Sequence, residues 1–379
     1  MDDSFKVNVS VHGRWHAFEL ANGLYRKGYL GRLLTTYPGF IARRFLDSGI
    51  EIRTRPLLEL RRRAHMRLRI GGRPDAVIAR AMAEFAAKAA CGAHILVGWS
   101  SALLEAIEPA RADGMKVVVE RGSTHIENQT RILAEAHEAL GLAAQLPMPE
   151  IVRREVTEYA TADAIAVPTE TAAETFVQEG VPREKLLVNP YGVDLSKFTP
   201  SDRADGRTGV VFVGRVGVRK GVPWLLRAMK KCNGLDQLTL VGPIEDGFQE
   251  FLAREAGDMA RVQGPLPGDA LPAIYAGARV FCLPSLEEGM PLTMLQAMAA
   301  GLPVVTTEAA SGGIVEQSGG GFLVPPEDAD AINEALARLL GDPELAWEMG
   351  QAARSAVQSG YSWDDYATRA IRNYQKLLG

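Results

Sequence analysis

Cysteine is scarce: Cys91, Cys232 and Cys282 stand far apart in 379 residues, with no CxxC pair. That spacing excludes a disulfide framework and a thiolate zinc site, and predicts a reducing compartment. No apolar run reaches the ~18 residues of a membrane-spanning helix. The N-terminus, MDDSFKVNVSV, is acidic and enters a strand pattern at once, without the look of a secretory leader. The expectation is a cytoplasmic chain whose membrane contact, if any, is peripheral on the inner face of the plasma membrane. Net charge is also small, −4, which argues against bulk nucleic-acid binding. A Walker loop is missing, since no GxxxxGK[ST] spacing occurs. Asp328-Ala329-Asp330 has the outline of a metal-binding DxD but sits at a helix start far from the basic loop described below, so no metal is assigned to it.

What is present is a globular composition, 47% hydrophobic and 23% charged, in a length suited to two domains. Strand and helix patterns alternate throughout. Lys6 to Val11 reads as a first strand, His12-Gly13-Arg14-Trp15-His16 as the turn, and Ala17 to Lys27 as a helix. A glycine there lets backbone approach a ligand closely, although a plain tight turn uses one equally well. Met115 to Val119 is a buried strand ending in Glu120-Arg121-Gly122-Ser123-Thr124-His125, polar groups where open α/β sheets bind ligands. Loop composition from 201 to 207 marks the interdomain linker.

The segment 43–73 holds ten arginines against three acids in a chain of net charge −4, interleaved with apolar residues such as Phe45, Leu57 and Leu60. An anionic membrane surface or a phosphorylated lipid fits that pattern. A solvated arginine-rich helix face fits it about as well. Nucleic acid ranks third, lacking an aromatic interleave.

In the second half, Val210-Val211-Phe212-Val213 runs into Gly214-Arg215-Val216-Gly217-Val218-Arg219-Lys220-Gly221. Arg215 and Lys220, five apart across a strand-to-helix loop, can converge on one diphosphate, the first as a fork and the second as a point charge. Further on, Val280 to Leu283 is a buried strand, Pro284 to Gly289 a turn containing Glu287-Glu288, and Pro291 to Gly301 a helical stretch before another apolar strand. A helix N-terminus favours a phosphate, and a carboxylate beside it suits a ligand that also carries hydroxyls.

Glu288, seven intervening residues, then Gln296-Ala297-Met298-Ala299-Ala300-Gly301-Leu302-Pro303-Val304-Val305 resembles the donor-sugar signature of the retaining family-4 glycosyltransferases. The departure is Gln296, where the family has a second glutamate that holds the ribose hydroxyls. A glutamine is a neutral and weaker acceptor. The order G-R-x4-K-G at 214–221 is also the family's. The resemblance is strongest from about 160 to 378.

The resemblance, with the alternation of elements, implies the α/β GT-B arrangement, two doubly wound Rossmann-like domains facing across a cleft. Residues 1–200 would be the acceptor-side domain, 208–360 the nucleotide-sugar domain, and 361–379 a helix crossing back to the first. Catalytic roles would fall to Arg215, Lys220, Glu288 and His125, with Glu120 or Arg121 as alternatives for the histidine's place. Donor contacts would come from Gly13, Arg14, Gly214, Gly264, Pro265, Gly289, Met290, Pro291, Leu292, Thr293 and Gln296. The substrate would be a UDP- or GDP-sugar with no separate cofactor and no metal. The acceptor would be a glycan or lipid-linked glycan of the cell envelope. A nucleotide-sugar epimerase of the same fold, or a degenerate subunit binding lipid or a partner, are the rival readings.

Overall fold

The computed structural model describes residues 5–68, 75–200, 206–232 and 238–379. Seven strands form the first sheet: β1 (Val7–Val11), β2 (Leu30–Thr35), β3 (Ile52–Thr54), β4 (Ile95–Trp99), β5 (Lys116–Glu120), β6 (Ala164–Val167) and β7 (Leu186–Val188). Their order is β3-β2-β1-β4-β5-β6-β7, and every pairing is parallel. A second parallel sheet runs β10-β9-β8-β11-β12-β13. It is built from β8 (Val210–Val213), β9 (Leu238–Val241), β10 (Ala260–Gly264), β11 (Val280–Leu283), β12 (Val304–Thr306) and β13 (Gly321–Leu323).

Central strands such as Val210–Val213 and Val280–Leu283 are buried along their whole length. Helices cover both faces, which is why these strands read as unbroken apolar runs. In each sheet the order reverses beside the first strand, between β1 and β4 and between β8 and β11. At such a switch point the connections leave in opposite directions and open a crevice beyond the strand ends.

Two strands escape the sequence pattern. β2 carries Arg32, whose guanidinium donates to the Ala89 carbonyl at 3.0 Å, so a charge interrupts its apolar run. β3 is a three-residue edge strand with no fully buried residue. The basic segment is therefore not one amphipathic face: after the short helix Gly39–Ala42 it holds β3 and the helix Pro56–Leu68. Arg67, Arg69 and Arg73 fall outside the residues or side chains described, as does the linker at 201–205.

The last helix, Trp363–Leu378, starts with a capping box between Ser362 and Asp365. It lies on the first sheet's side of the molecule. Asp364 pairs with Lys27 at 2.9 Å, and the Tyr366 hydroxyl donates to Glu120 at 3.3 Å.

Candidate active site

The loops after β8 and β11 meet at the second sheet's switch point. Gly221, at φ 71°, has no room for a side chain: an added Cβ would lie 1.9 Å from the Pro284 carbonyl oxygen. The basic loop and the acidic loop are thus pressed backbone to backbone. Lys220 forms an ion pair with Glu288, whose carboxylate also accepts from Ser285 Oγ at 3.0 Å. Burial pulls the Lys220 pKa below its usual value, while Glu288 works in the opposite direction. Arg215 lies in the same loop, exposed, with no ion pair among the described residues.

The adjoining helix is Leu292–Ala299, with Pro291 at the N-cap and no side-chain cap. Pro291 has no N–H. The backbone donors there are those of Met290, Leu292 and Thr293, one fewer than a count over 290–293 implies. Gln296 faces Tyr275, whose hydroxyl donates to its Oε1 at 3.2 Å. Gly264 ends β10 at φ 64°, and its carbonyl accepts from Gly242 N at 2.8 Å. Pro265 follows it at the same end of the sheet. Gly242 in turn lies against Gly214, its added Cβ falling 1.8 Å from the Gly214 oxygen.

Next to these residues runs an interdomain clasp that sequence reasoning missed. Glu287 is fully buried, paired with Arg219 at 2.8 Å on its own side. Across the cleft it accepts from Ser123 Oγ, from Thr124 N at 3.0 Å and Oγ1 at 2.7 Å, and from Gln129 Nε2 at 3.0 Å. Burial opposes ionisation, but Arg219 and these donors hold the carboxyl at about 2. Gly289 lets the domains touch: an added Cβ would sit 2.4 Å from the Gly122 oxygen. A second tie joins His137 to Glu245 at 3.1 Å, and Glu245 also accepts from Val218 N at 3.0 Å. The acidic pair Glu287-Glu288 was visible in the sequence. That its first member turns to the other domain was not.

His125 is not brought to this place. It caps the helix Ile126–Ala139, with Nδ1 accepting from Glu127 N at 3.3 Å. The ring packs 5.1 Å from Tyr159 and 5.0 Å from Phe176. Burial pushes its pKa down to about 4. Arg121 is taken by Glu155 at 2.9 Å and Gln129 at 2.7 Å. Glu120, buried beneath Tyr366, is pushed up to about 8. Among the described residues none of these three reaches Lys220 or Glu288 by a hydrogen bond.

The first sheet's switch point holds a cavity of about 550 Å³. Gly13, Arg14 and Trp15 after β1 and Ser101 after β4 line it, and no residue of the second sheet's domain does. Arg14 stacks on Phe45, 4.2 Å from the ring centre. Gly13 and Arg14 thus line this first-domain cavity.

Residues 207–342 match the family described as "Glycosyl transferases group 1". The chain is 31% identical over 241 residues to an MMP alpha-(1->4)-mannosyltransferase of Mycolicibacterium hassiacum, covering 61% of this chain and 57% of that protein. It is 33% identical over 295 residues to a D-inositol 3-phosphate glycosyltransferase of Salinispora arenicola, covering 68% and 65% respectively. The chain thus matches less than two-thirds of the length of these relatives. Among solved structures, sucrose-phosphate synthase of Thermosynechococcus elongatus superposes with a TM-score of 0.71 at 21% identity, covering 98% of this chain and 99% of the other. Anabaena HepE, solved in complex with UDP-glucose, gives 0.71 at 14% identity, covering 98% and 100%.

Proposed function

This chain carries a family-4-type glycosyltransferase domain within a GT-B fold, and from that premise we propose that it moves a hexosyl unit from a nucleoside-diphosphate sugar to a hydroxyl acceptor, with retention and without a metal. The observation that carries this reading is the convergence at the second switch point. A guanidinium, an ammonium, a carboxylate and an uncapped helix start lie on two loops packed against each other.

Arg215, Lys220 and the N–H groups of Met290, Leu292 and Thr293 stabilise the charge that builds on the departing diphosphate. Groups already oriented for that charge need no reorganisation during the reaction. Glu288 holds sugar hydroxyls, and the incoming diphosphate draws Lys220 away from it. Gly214 and Gly289 keep side chains out of the donor's path. Gln296 receives the ribose, and Gly264-Pro265 meets the base through backbone. No nucleophile and base pair of the glycosidase kind is assigned at the donor loops. Attack on the same face, with the donor phosphate oxygen taking the acceptor proton, is the consistent chemistry.

The acceptor approaches from the first domain and is a lipid-linked or other cell-envelope glycan. Supporting this, Phe40, Leu57 and Leu60 are 72%, 77% and 64% exposed. Arg43, Arg44, Arg53, Arg55 and Arg61 are exposed in the same segment. Apolar wedges among cations suit an anionic bilayer surface, and no described helix is long and apolar enough to cross one.

A calorimetric screen of UDP, GDP and their sugars tests the donor site, with at least one nucleotide expected to bind. Product analysis of donor incubated alone separates transfer from epimerisation. An epimerised sugar without acceptor would overturn the transferase reading.

A further inference from the structure

We propose that the cavity at the first sheet's switch point is an acceptor site for a sugar ring bearing an anionic group, with Trp15 as the stacking platform and Arg14 as the anion's partner. This rests on the glycosyltransferase reading and adds the chemical class of the acceptor.

Backbone strain is the first observation. Among the described residues three non-glycine residues have left-handed backbone, Trp15 at φ 42°, Ser101 at φ 71° and Glu327 at φ 65°. Two of the three line this one cavity. Such conformations cost energy and persist where the surroundings over-determine them, as at ligand sites. Here the surroundings do so. The Trp15 indole donates to the His12 carbonyl at 3.0 Å. Gly13 is fastened to the end of β2 by Thr36 at 2.8 Å and Thr35 at 2.7 Å. Ser101 N donates to buried Glu158 at 2.6 Å, and the Ser101 carbonyl accepts from Arg154 at 3.1 Å.

The second observation is the chemistry these strained turns present. Trp15 is 62% exposed at the cavity, a large apolar face suited to the C–H face of a pyranose. Arg14 has no ion pair among the described residues, and its guanidinium lies over the Phe45 ring, 4.2 Å from the centre. Arg62, also lining the cavity, is held by a two-pronged bond to Glu59 at 3.0 and 2.8 Å. Arg63 shares that carboxylate at 2.6 Å and lies 5.5 Å from the ring centre of Tyr37, another lining residue. Three guanidinium groups thus face two carboxylates, Glu59 and Asp75. Asp75 on the wall can accept from hydroxyls, and His12 beside it is kept neutral by burial and by Arg62. At about 550 Å³ the space is within the ~300–1,000 Å³ of small-molecule sites. Preorganised arginines read phosphate or carboxylate by direction as well as charge.

The test titrates the whole 379-residue chain, saturated with whichever nucleoside diphosphate binds, with glucose, glucuronate and glucose 6-phosphate. At least one anionic sugar is expected to bind ~10-fold or more tightly than glucose. Comparing the two anions tells carboxylate from phosphate. Arg14→Gln should abolish the preference. Trp15→Ala should weaken all three, and Trp15→Phe should restore part of the loss. Equal affinity for the three sugars, or a preference unchanged in Arg14→Gln, overturns the inference while leaving the donor reading intact. Displacement of the bound anion by added nucleotide also overturns it, because that places the anion at the donor loops. Failure of every nucleoside diphosphate to bind sinks the donor reading, and this inference with it.

Discussion

Lys220 and Glu288 are both drawn out of water, so removing one leaves the other as an uncompensated charge. Breaking a buried pair of this kind costs about 3–5 kcal/mol. Lys220→Ala should therefore lower the melting temperature as well as slow transfer, the latter by roughly 10²–10³. Single-turnover transfer beside a thermal melt checks both, and wild-type transfer would remove Lys220 from the mechanism. Gln296 makes the opposite case. Its amide oxygen meets only a tyrosine hydroxyl among the bonds described, so Gln296→Glu is expected to tighten nucleotide binding with little effect on sugar choice. Calorimetry with one nucleotide and two of its sugars measures this, and unchanged affinity would refute the ribose assignment.

The helix Ile126–Ala139 couples the domains at two points. Gln129 near its start reaches Glu287, and His137 near its end reaches Glu245. Both partners adjoin the basic loop, Glu287 through Arg219 and Glu245 through Val218 N, so this helix ties the first domain to that loop. The two ties respond to pH in opposite senses. Glu287 has a folded pKa depressed to about 2. Its contribution is present above the unfolded value near 4.5 and is lost as pH falls from there through about 2. His137 is raised above 6.5, chiefly by its bond to Glu245. Its contribution is full below 6.5 and is lost as pH rises through the higher folded value. Wild type should thus loosen at both ends of the range. Glu287→Gln should weaken the acid-side dependence, and Glu245→Gln the alkaline-side one. The radius of gyration from solution scattering, followed with pH, reads both. Identical profiles for wild type and Glu287→Gln would show that the clasp does not hold the domains.

For the whole molecule, the exposed arginines Arg43, Arg44, Arg53, Arg55 and Arg61 all lie on the first sheet's domain. Liposome flotation should show binding to vesicles with anionic lipid and weak binding to neutral ones. Arg43→Glu with Arg44→Glu and Arg61→Glu should abolish it, while nucleotide binding persists. Binding unchanged by these reversals would assign that face to solvent.

The sequence by itself determined the layers and the two loops that carry Arg215, Lys220 and Glu288. Doubly buried parallel strands leave unbroken apolar runs, and a strand-to-helix turn keeps Arg215, Lys220 and Glu288 within short reach of their strand ends whatever the rest of the chain does. Edge strand β3 and charged β2 left no such trace, because a half-buried strand need not be apolar. Only the tertiary structure decided what depends on residues far apart in the chain. Glu287 turns toward Ser123 and Gln129 because the domains close there. His125 goes to an aromatic core because Tyr159 and Phe176 converge on it. Arg14 and Trp15 share a cavity with Ser101 because β1 and β4 are neighbours, and no local pattern encodes that adjacency.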